Sequence, residues 1–294
     1  MTTLVTGATG LVGNNVVRVL LNAGEAVRVL CRPASDPRPL AGLEAEIVAG
    51  DICDAESVRR ATEGVSQVVH AAGKVHIGWS GLESQRAINV EGTRNVAVAA
   101  REVNAKMIHV SSVDALGVGS PELPADEDSA REGKVPCCYV VTKREAEEVF
   151  LDEVARGLDG VVVNPGLMFG PWDWKPSSGR MLLEVARRMT PFAPKGGGSV
   201  CDVRDVAAGI LAALQRGVAG RRYILAGENL TYLDLWKRMA QVTGGSAPIC
   251  RAGPLMRIMA GRSGDLLGKL TGREPDVNSA AVGMSNLYHY YSIA

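Results

Sequence analysis

Thr3-Leu4-Val5-Thr6 runs without a spacer into Gly7-Ala8-Thr9-Gly10-Leu11-Val12-Gly13, after which Val12, Val16, Val17, Leu20 and Leu21 recur at helical spacing. A short β-branched run, a glycine-rich turn and an amphipathic helix, in that order, begin an open α/β sheet. A helix that starts at such a turn aims its unpaired N–H groups and the positive end of its dipole at whatever lies over the turn. Glycines there let a diphosphate come against the backbone, so the chain opens on a cradle for a dinucleotide. The spacing Gly-x-x-Gly-x-x-Gly is looser than the general G-x-G-x-x-G fingerprint, and the reading rests on the strand before the turn and the helix after it.

The rest of the chain continues the alternation. Ala26–Cys31 reads as a second strand and ends at Arg32. The position about 20 residues past the glycines faces the adenosine ribose, where an acid suits the 2′-hydroxyl of NAD and an arginine the 2′-phosphate of NADP. Arg32 therefore predicts NADP; the alternative is a solvated Arg32 with Asp36 at the ribose. Residues 45–50 form a third strand, followed by Asp51-Ile52 and a helix over 55–63, with Asp51 placed either to touch adenine or to cap that helix. Gln67–Gly73 is a fourth strand running into Ala71, Ala72 and Gly73, small residues that let the backbone lie against a cofactor. His70 within it is expected to pack, since no nucleophile nearby needs a base. A loop over 74–84 carries His76 and Trp79 and precedes a helix over 84–102, interrupted at Asn89-Val90-Glu91-Gly92-Thr93. Such a loop, after a strand's carboxyl end, is where substrate contacts usually lie. Lys106–Val110 is a fifth strand ending in Ser111-Ser112, and strands alternating with helices this regularly predict a doubly wound parallel sheet.

Residues 121–136 are rich in Pro, Asp, Glu and Gly and read as an exposed loop. The helix that opens near Tyr139 puts Tyr139 and Lys143 four residues apart on one face, a spacing that an ordinary amphipathic helix also shows. Val161–Asn164 is a further strand, ending in Pro165-Gly166. Beyond it the pattern loosens into helices over 178–190, 203–215, 231–243 and 254–270, a turn at Gly196-Gly197-Gly198 and a strand at Tyr223–Leu225. The expected architecture is α/β: a Rossmann-type dinucleotide-binding domain over 1–165, with a strand and helix returning from 200–225, and a smaller mixed substrate lobe over 166–294.

Thirty-two basic residues balance thirty-two acidic ones, which argues against nucleic acid or an anionic membrane as the main partner. No stretch reaches the length of a membrane span, and no charged segment leading into an apolar one precedes the first strand, so a cytoplasmic protein is expected. The six cysteines show no C-x-x-C pair, and neither a metal nor structural disulfides are expected.

The TGATGLVG start, Asp51-Ile52, Ala71-Ala72, Asn89-Val90-x-Gly92-Thr93, Ser111-Ser112, Tyr139-x-x-x-Lys143 and Asn164-Pro165-Gly166 stand in the order and at the separations of one family. The chain resembles the extended short-chain dehydrogenase/reductase family of the NAD-dependent epimerase/dehydratase type. Within it, the chain is most similar to dihydroflavonol-4-reductase-like proteins and the hopanoid-associated sugar epimerase group. The resemblance implies Tyr139 as acid/base, Lys143 as its activator and Ser112 as the donor holding the substrate oxygen. It implies a cofactor lined by Gly7, Thr9, Gly10, Leu11, Val12, Arg32, Asp51 and Ile52 at the adenosine half. Ala71, Ala72, Gly73, Asn89, Val110, Tyr139, Lys143, Pro165, Gly166 and Met168 line the nicotinamide half. Val75, Trp79, Ser112, Asp114, Met168 and Trp172 would meet the substrate. Asp114 takes the place where some family dehydratases carry a second acid or base, or it caps the local loop.

Physical chemistry supports the three central roles. A tyrosine titrates near 10, and a nearby ammonium favours its phenolate. A placed proton donor is worth on the order of 10² to 10⁴ in rate, and a hydroxyl aimed at a developing alkoxide stabilises it further. Two departures bear on substrate: Trp172-Asp173-Trp174 stands where nucleotide-sugar enzymes of the family commonly have an arginine after Gly-Pro, and the run Tyr288–Ala294 lacks the family's final helical tail. The expectation is an NADP-dependent oxidoreductase, with NAD as the alternative cofactor, that interconverts a small-molecule carbonyl compound and an alcohol; a homodimer is compatible with it. The rivals are a nucleotide-sugar epimerase or dehydratase, and a dinucleotide-binding regulator without chemistry.

Overall fold

The computed structural model describes residues 1–176, 178–187 and 191–292. Strands β1 (Thr2–Thr6), β2 (Ala26–Cys31), β3 (Glu46–Ala49), β4 (Gln67–His70), β5 (Lys106–Val110) and β6 (Gly160–Pro165) alternate with helices α1 (Leu11–Asn22), α2 (Ala55–Thr62), α3 (Leu82–Arg86), α4 (Gly92–Glu102) and α5 (Cys138–Ala155). Then follow β7 (Leu167–Phe169), α6 (Ser178–Arg187), β8 (Phe192–Ala193), β9 (Gly197–Asp202), α7 (Val203–Arg216), β10 (Arg222–Leu225) and β11 (Glu228–Thr231). The chain closes with α8 (Tyr232–Thr243), β12 (Cys250–Arg251), α9 (Pro254–Thr271), α10 (Ser279–Ser285) and β13 (Tyr288–His289).

Seven strands form one parallel sheet in the order β10-β6-β5-β4-β1-β2-β3, the doubly wound arrangement. Alternation along each strand sends neighbours to opposite faces. Val5, Val27, Val29, Val69, Ile108, Val161 and Val163 bury against α1 and α7. Leu4, Leu30, Val68, Met107 and Val162 bury on the other face, against α2, α4 and α5. Strands covered on both sides read as continuous apolar runs, which is why these were plain in the sequence. The order reverses between β1 and β4, and in such sheets ligands bind in the crevice at the strands' carboxyl ends beside that reversal. His70 is fully buried there, with Nδ1 2.7 Å from Thr6 Oγ1 and Nε2 3.1 Å from Thr93 Oγ1, and packs as expected.

Two local expectations need correction. The helix expected over 84–102 begins at Leu82 and passes through a π turn at Ala87–Glu91, the stretch the sequence marked as an interruption. Gly196-Gly197-Gly198 is no turn: Gly197 starts β9, which pairs with β11, β13 and β7. A Cβ on Gly197 would meet Thr231 Cα and a Tyr290 ring carbon at 2.9 Å, so close approach of neighbouring chain segments selects glycine here. The helix expected over 178–190 is described to Arg187; residues 188–190 lie outside the described residues, as do 293–294 of the C-terminal run. Among the described residues, no helix is long and apolar enough to cross a membrane.

Candidate active site

The three glycines of the first turn do different work. Gly7 has φ +72°, and a Cβ there would come 2.6 Å from the Ala71 carbonyl and the Ala72 nitrogen, so the turn lies directly on the end of β4. Gly13 lies against the Gly7 carbonyl and sets how closely α1 approaches the turn. Gly10 is the open one and caps α1 with extended backbone; no side chain caps this end and no acid stands in its first turn. The Gly10 N–H goes to the Gly7 carbonyl and the Asn14 N–H to the Gly10 carbonyl. The N–H groups of Leu11, Val12 and Gly13 are left as donors at the positive end of the helix, beside the half-buried Thr9, and fit a diphosphate.

At the adenosine end, Arg32 is exposed and its side chain makes no hydrogen bond or ion pair among the described residues. Asp36, its rival for the ribose, is taken by Arg38, whose Nε and Nη2 reach both carboxylate oxygens at 2.7–3.0 Å. Those hydrogen bonds hold the Asp36 carboxyl at about 2. Asp51 Oδ1 accepts the Cys53 N–H at 3.0 Å, while α2 is capped by Asp54, so the capping alternative for Asp51 does not hold. Ile52 turns its side chain into the core against Gly92, and its carbonyl accepts from Asn95 Nδ2 at 2.9 Å.

Ser112 and Asp114 follow β5, and Tyr139 and Lys143 lie in the first turns of α5, all buried or nearly so. Burial and the Asp114 carboxylate push the Tyr139 phenol above its ordinary range, and a hydrogen bond with Ser112 pulls the other way. The phenol is therefore protonated at neutral pH. Lys143 Nζ donates to the carbonyl of Val110, the last residue of β5, at 3.0 Å, and a Cβ on Gly73 would lie 3.8 Å from it. Burial lowers Lys143 to about 8. Asn89, at the π turn, accepts the Lys74 N–H at 2.7 Å and donates to the Lys74 carbonyl and Thr142 Oγ1; it fixes the strand end to α5.

Asp114 does not stand free as a second acid. Lys134 Nζ, itself fully buried, lies 2.9 Å from its Oδ1. The same ammonium reaches the Val113 carbonyl at 3.1 Å, His289 Nδ1 at 2.9 Å and the Tyr291 hydroxyl at 2.8 Å. Burial alone would raise the Asp114 carboxyl, but Lys134 and His289 hold it far below the usual carboxylate range. The composition of 121–136 predicts an exposed loop, yet Lys134 within it is buried, and nothing in the sequence pairs it with His289 and Tyr291.

The expected substrate residues divide. Val75 and Trp79 are exposed in the loop after β4, and Glu274 fastens that loop: its carboxylate takes the N–H groups of Trp79 and Ser80, Ser80 Oγ and His76 Nε2, all at 2.6–2.9 Å. Pro165 ends β6, the Gly166 N–H binds the Leu225 carbonyl at 3.0 Å, and Met168 packs beside the core next to Cys201. Trp172 is displaced: its ring lies under the Arg18 guanidinium, 3.4 Å from the ring centroid, on the flank of α1. Trp174 lies near Arg38 in the same way. Cation–π contact holds both indoles against arginines of the nucleotide domain.

A family model described as the NAD dependent epimerase/dehydratase family matches residues 3–226. The chain is 38% identical over 264 residues to the sterol demethylase protein B of Methylococcus capsulatus, covering 89% of this chain and 80% of that protein. It is 37% identical over 251 residues to a putative dihydroflavonol 4-reductase of Synechocystis, covering 83% and 73%. The crystal structure of gox2253 superposes with a TM-score of 0.84 at 36% identity, covering 99% of this chain and 89% of that one.

Proposed function

Starting from the family to which this chain belongs, the NAD-dependent epimerase/dehydratase family of extended short-chain dehydrogenases/reductases, we propose that it is an NADPH-dependent reductase of an apolar carbonyl compound. The membership makes it an NAD(P)-dependent oxidoreductase. The observation that carries the finer reading is the pair Asp114–Lys134 beside a protonated Tyr139. A carboxylate locked to a buried ammonium cannot donate or take a proton near neutral pH, so the dehydratase outcome lacks its second proton carrier. A protonated phenol next to a hydroxyl is the form needed for reduction.

The N–H groups of Leu11, Val12 and Gly13 would hold the diphosphate, Arg32 the 2′-phosphate, and Lys143 the nicotinamide ribose. A bound nicotinamide would supply hydride chemistry at this site. Ser112 holds the carbonyl oxygen, and Tyr139 gives its proton to that oxygen as it gains charge, leaving a phenolate that the Lys143 ammonium favours. The names of the relatives, a sterol demethylase protein and a dihydroflavonol reductase, support a flat, apolar substrate. The test follows NADPH oxidation with a panel of aryl and alicyclic ketones, alongside incubation with nucleotide sugars and chromatography of the products. Reduction of a ketone is the expected result; epimerised sugar with no net NADPH loss would replace this reading with the epimerase.

Cofactor choice is tested separately. NADPH is expected to bind more tightly than NADH, and Arg32→Ala to narrow the gap by about tenfold or more, mainly by weakening NADPH, since a charge-assisted contact to phosphate is lost. Fluorescence titration of both nucleotides reads this directly. Equal affinities in the unaltered protein would return the ribose to an NAD-type arrangement.

A further inference from the structure

Helix α9 is turned inside out. Its small face is the buried one: a Cβ on Gly261 would lie 3.0 Å from Ser279 Cα, one on Gly264 would overlap the Val277 carbonyl, and one on Gly268 would lie 3.4 Å from Glu274 Cα. Asp265 accepts the Ser279 N–H at 2.9 Å and Arg257 donates to Asn286 Oδ1 at 2.6 Å, which ties that face to α10 and the segment before it. The glycine spacing of three and four therefore fixes the rotation of the helix, and the long apolar side chains are left on the outside. Leu255, Ile258, Met259, Leu266, Leu267 and Leu270 are exposed by 51–76%. Leu255, Met259, Leu266 and Leu270 share one stripe. A contiguous apolar face of this kind on a folded protein marks an interaction surface.

The charges around the stripe choose the partner. Residues 251–273 carry the basic Arg251, Arg257, Arg262, Lys269 and Arg273 against the single acid Asp265, in a chain whose totals balance. Asp265 faces inward, Glu274 is consumed by the loop at 76–80, and Asp276 is paired with Arg180. Exposed, and without an ion pair among the described residues, Arg251, Arg262, Lys269 and Arg273 rim the stripe. A second copy on a twofold axis would bring two such basic rims together. Anionic lipid head groups neutralise them, while Leu and Met side chains enter the acyl boundary. Trp79, half-exposed, has its indole N–H on Ser279 Oγ at 2.8 Å, the residue that packs against Gly261 of the same helix, an arrangement suited to the head-group level.

We infer that α9 is an in-plane membrane-docking helix that seats this protein on anionic lipid. The loop that begins beside Gly73 and Lys143 then opens toward the bilayer, where an apolar carbonyl compound partitions. That last step rests on the reductase reading, whereas docking itself does not. The experiment is vesicle flotation of the full chain with phosphatidylcholine alone and with added phosphatidylglycerol. The protein should float with the anionic vesicles, less so at high salt, and Leu266→Glu with Leu270→Glu, or Arg262→Glu with Lys269→Glu, should each cut the bound fraction about tenfold or more. All four residues are exposed, so circular dichroism and NADPH affinity should match the unaltered protein. Absence of flotation with either vesicle overturns docking. A dimer in sedimentation that dissociates in the Leu266→Glu, Leu270→Glu variant, with no vesicle binding, overturns it in favour of a second copy. Flotation needs no turnover, so a ketone panel that fails leaves this result readable by itself.

Discussion

Tyr139→Phe is expected to lower carbonyl reduction by about 10² or more while leaving NADPH affinity nearly unchanged. The ring keeps its place in the cluster of Cys137, Val140, Ala280 and Met284, so only the proton source is lost. Lys143→Ala should weaken both turnover and nucleotide binding, because its ammonium serves the phenolate and the ribose together. With Lys143 at about 8 in the free protein, a negatively charged nucleotide draws it toward the charged form. NADPH affinity is then full below pH 8 and declines as pH rises through it, with proton uptake on binding. Stopped-flow turnover and fluorescence titration across pH separate the two residues. Near-normal turnover in Tyr139→Phe would remove the phenol from the chemistry.

Lys134→Met should cost about 3–5 kcal/mol of folding stability, the range for removing one partner of a buried ion pair. The Asp114 carboxylate would keep only the His289 ring, 3.4 Å away, beside it, and the Val113 carbonyl and Tyr291 hydroxyl would each lose a hydrogen bond. Combining Lys134→Met with Asp114→Asn removes the stranded charge and is expected to recover most of that loss, as a measured coupling between the two sites. Denaturant unfolding of the four proteins decides it. Equal destabilisation of the single and double variants would show that the lysine acts by packing alone.

What the sequence made legible follows from where the determinants lie. Gly7, Gly10 and Gly13, the alternating valines of β1, β2 and β6, and Tyr139 with Lys143 are determined by neighbours a few residues away, and pattern reading finds such features. Lys134 meets His289 and Tyr291 across more than 150 residues, and nothing local to Lys134 distinguishes it from a solvated lysine in a polar loop. The tryptophans at 172 and 174 were read by analogy with a substrate pocket, but the arginines at 18 and 38 that hold them are likewise remote in the chain. The triple glycine failed for a related reason: crowding by Thr231 and Tyr290 selects glycine as strongly as a turn does. The balanced total charge concealed a segregated one, because counting does not register that Asp265 faces inward while Arg262 and Lys269 face out.

Glu274 makes the loop after β4 mechanically part of the chain between α9 and α10. Its carboxylate gathers three N–H or O–H donors from Trp79 and Ser80 and the ring of His76, so the loop after β4 is latched to the chain that follows α9. The same loop is held further along by Asn278 Nδ2 donating to the Ile77 carbonyl at 2.9 Å and by the Trp79 indole on Ser279 Oγ, so loop and segment meet at several points. Substrate and product passing this loop are therefore expected to meet it as one body with residues 274–279, and Glu274, more than 190 residues away in the chain, is one of the side chains that join them.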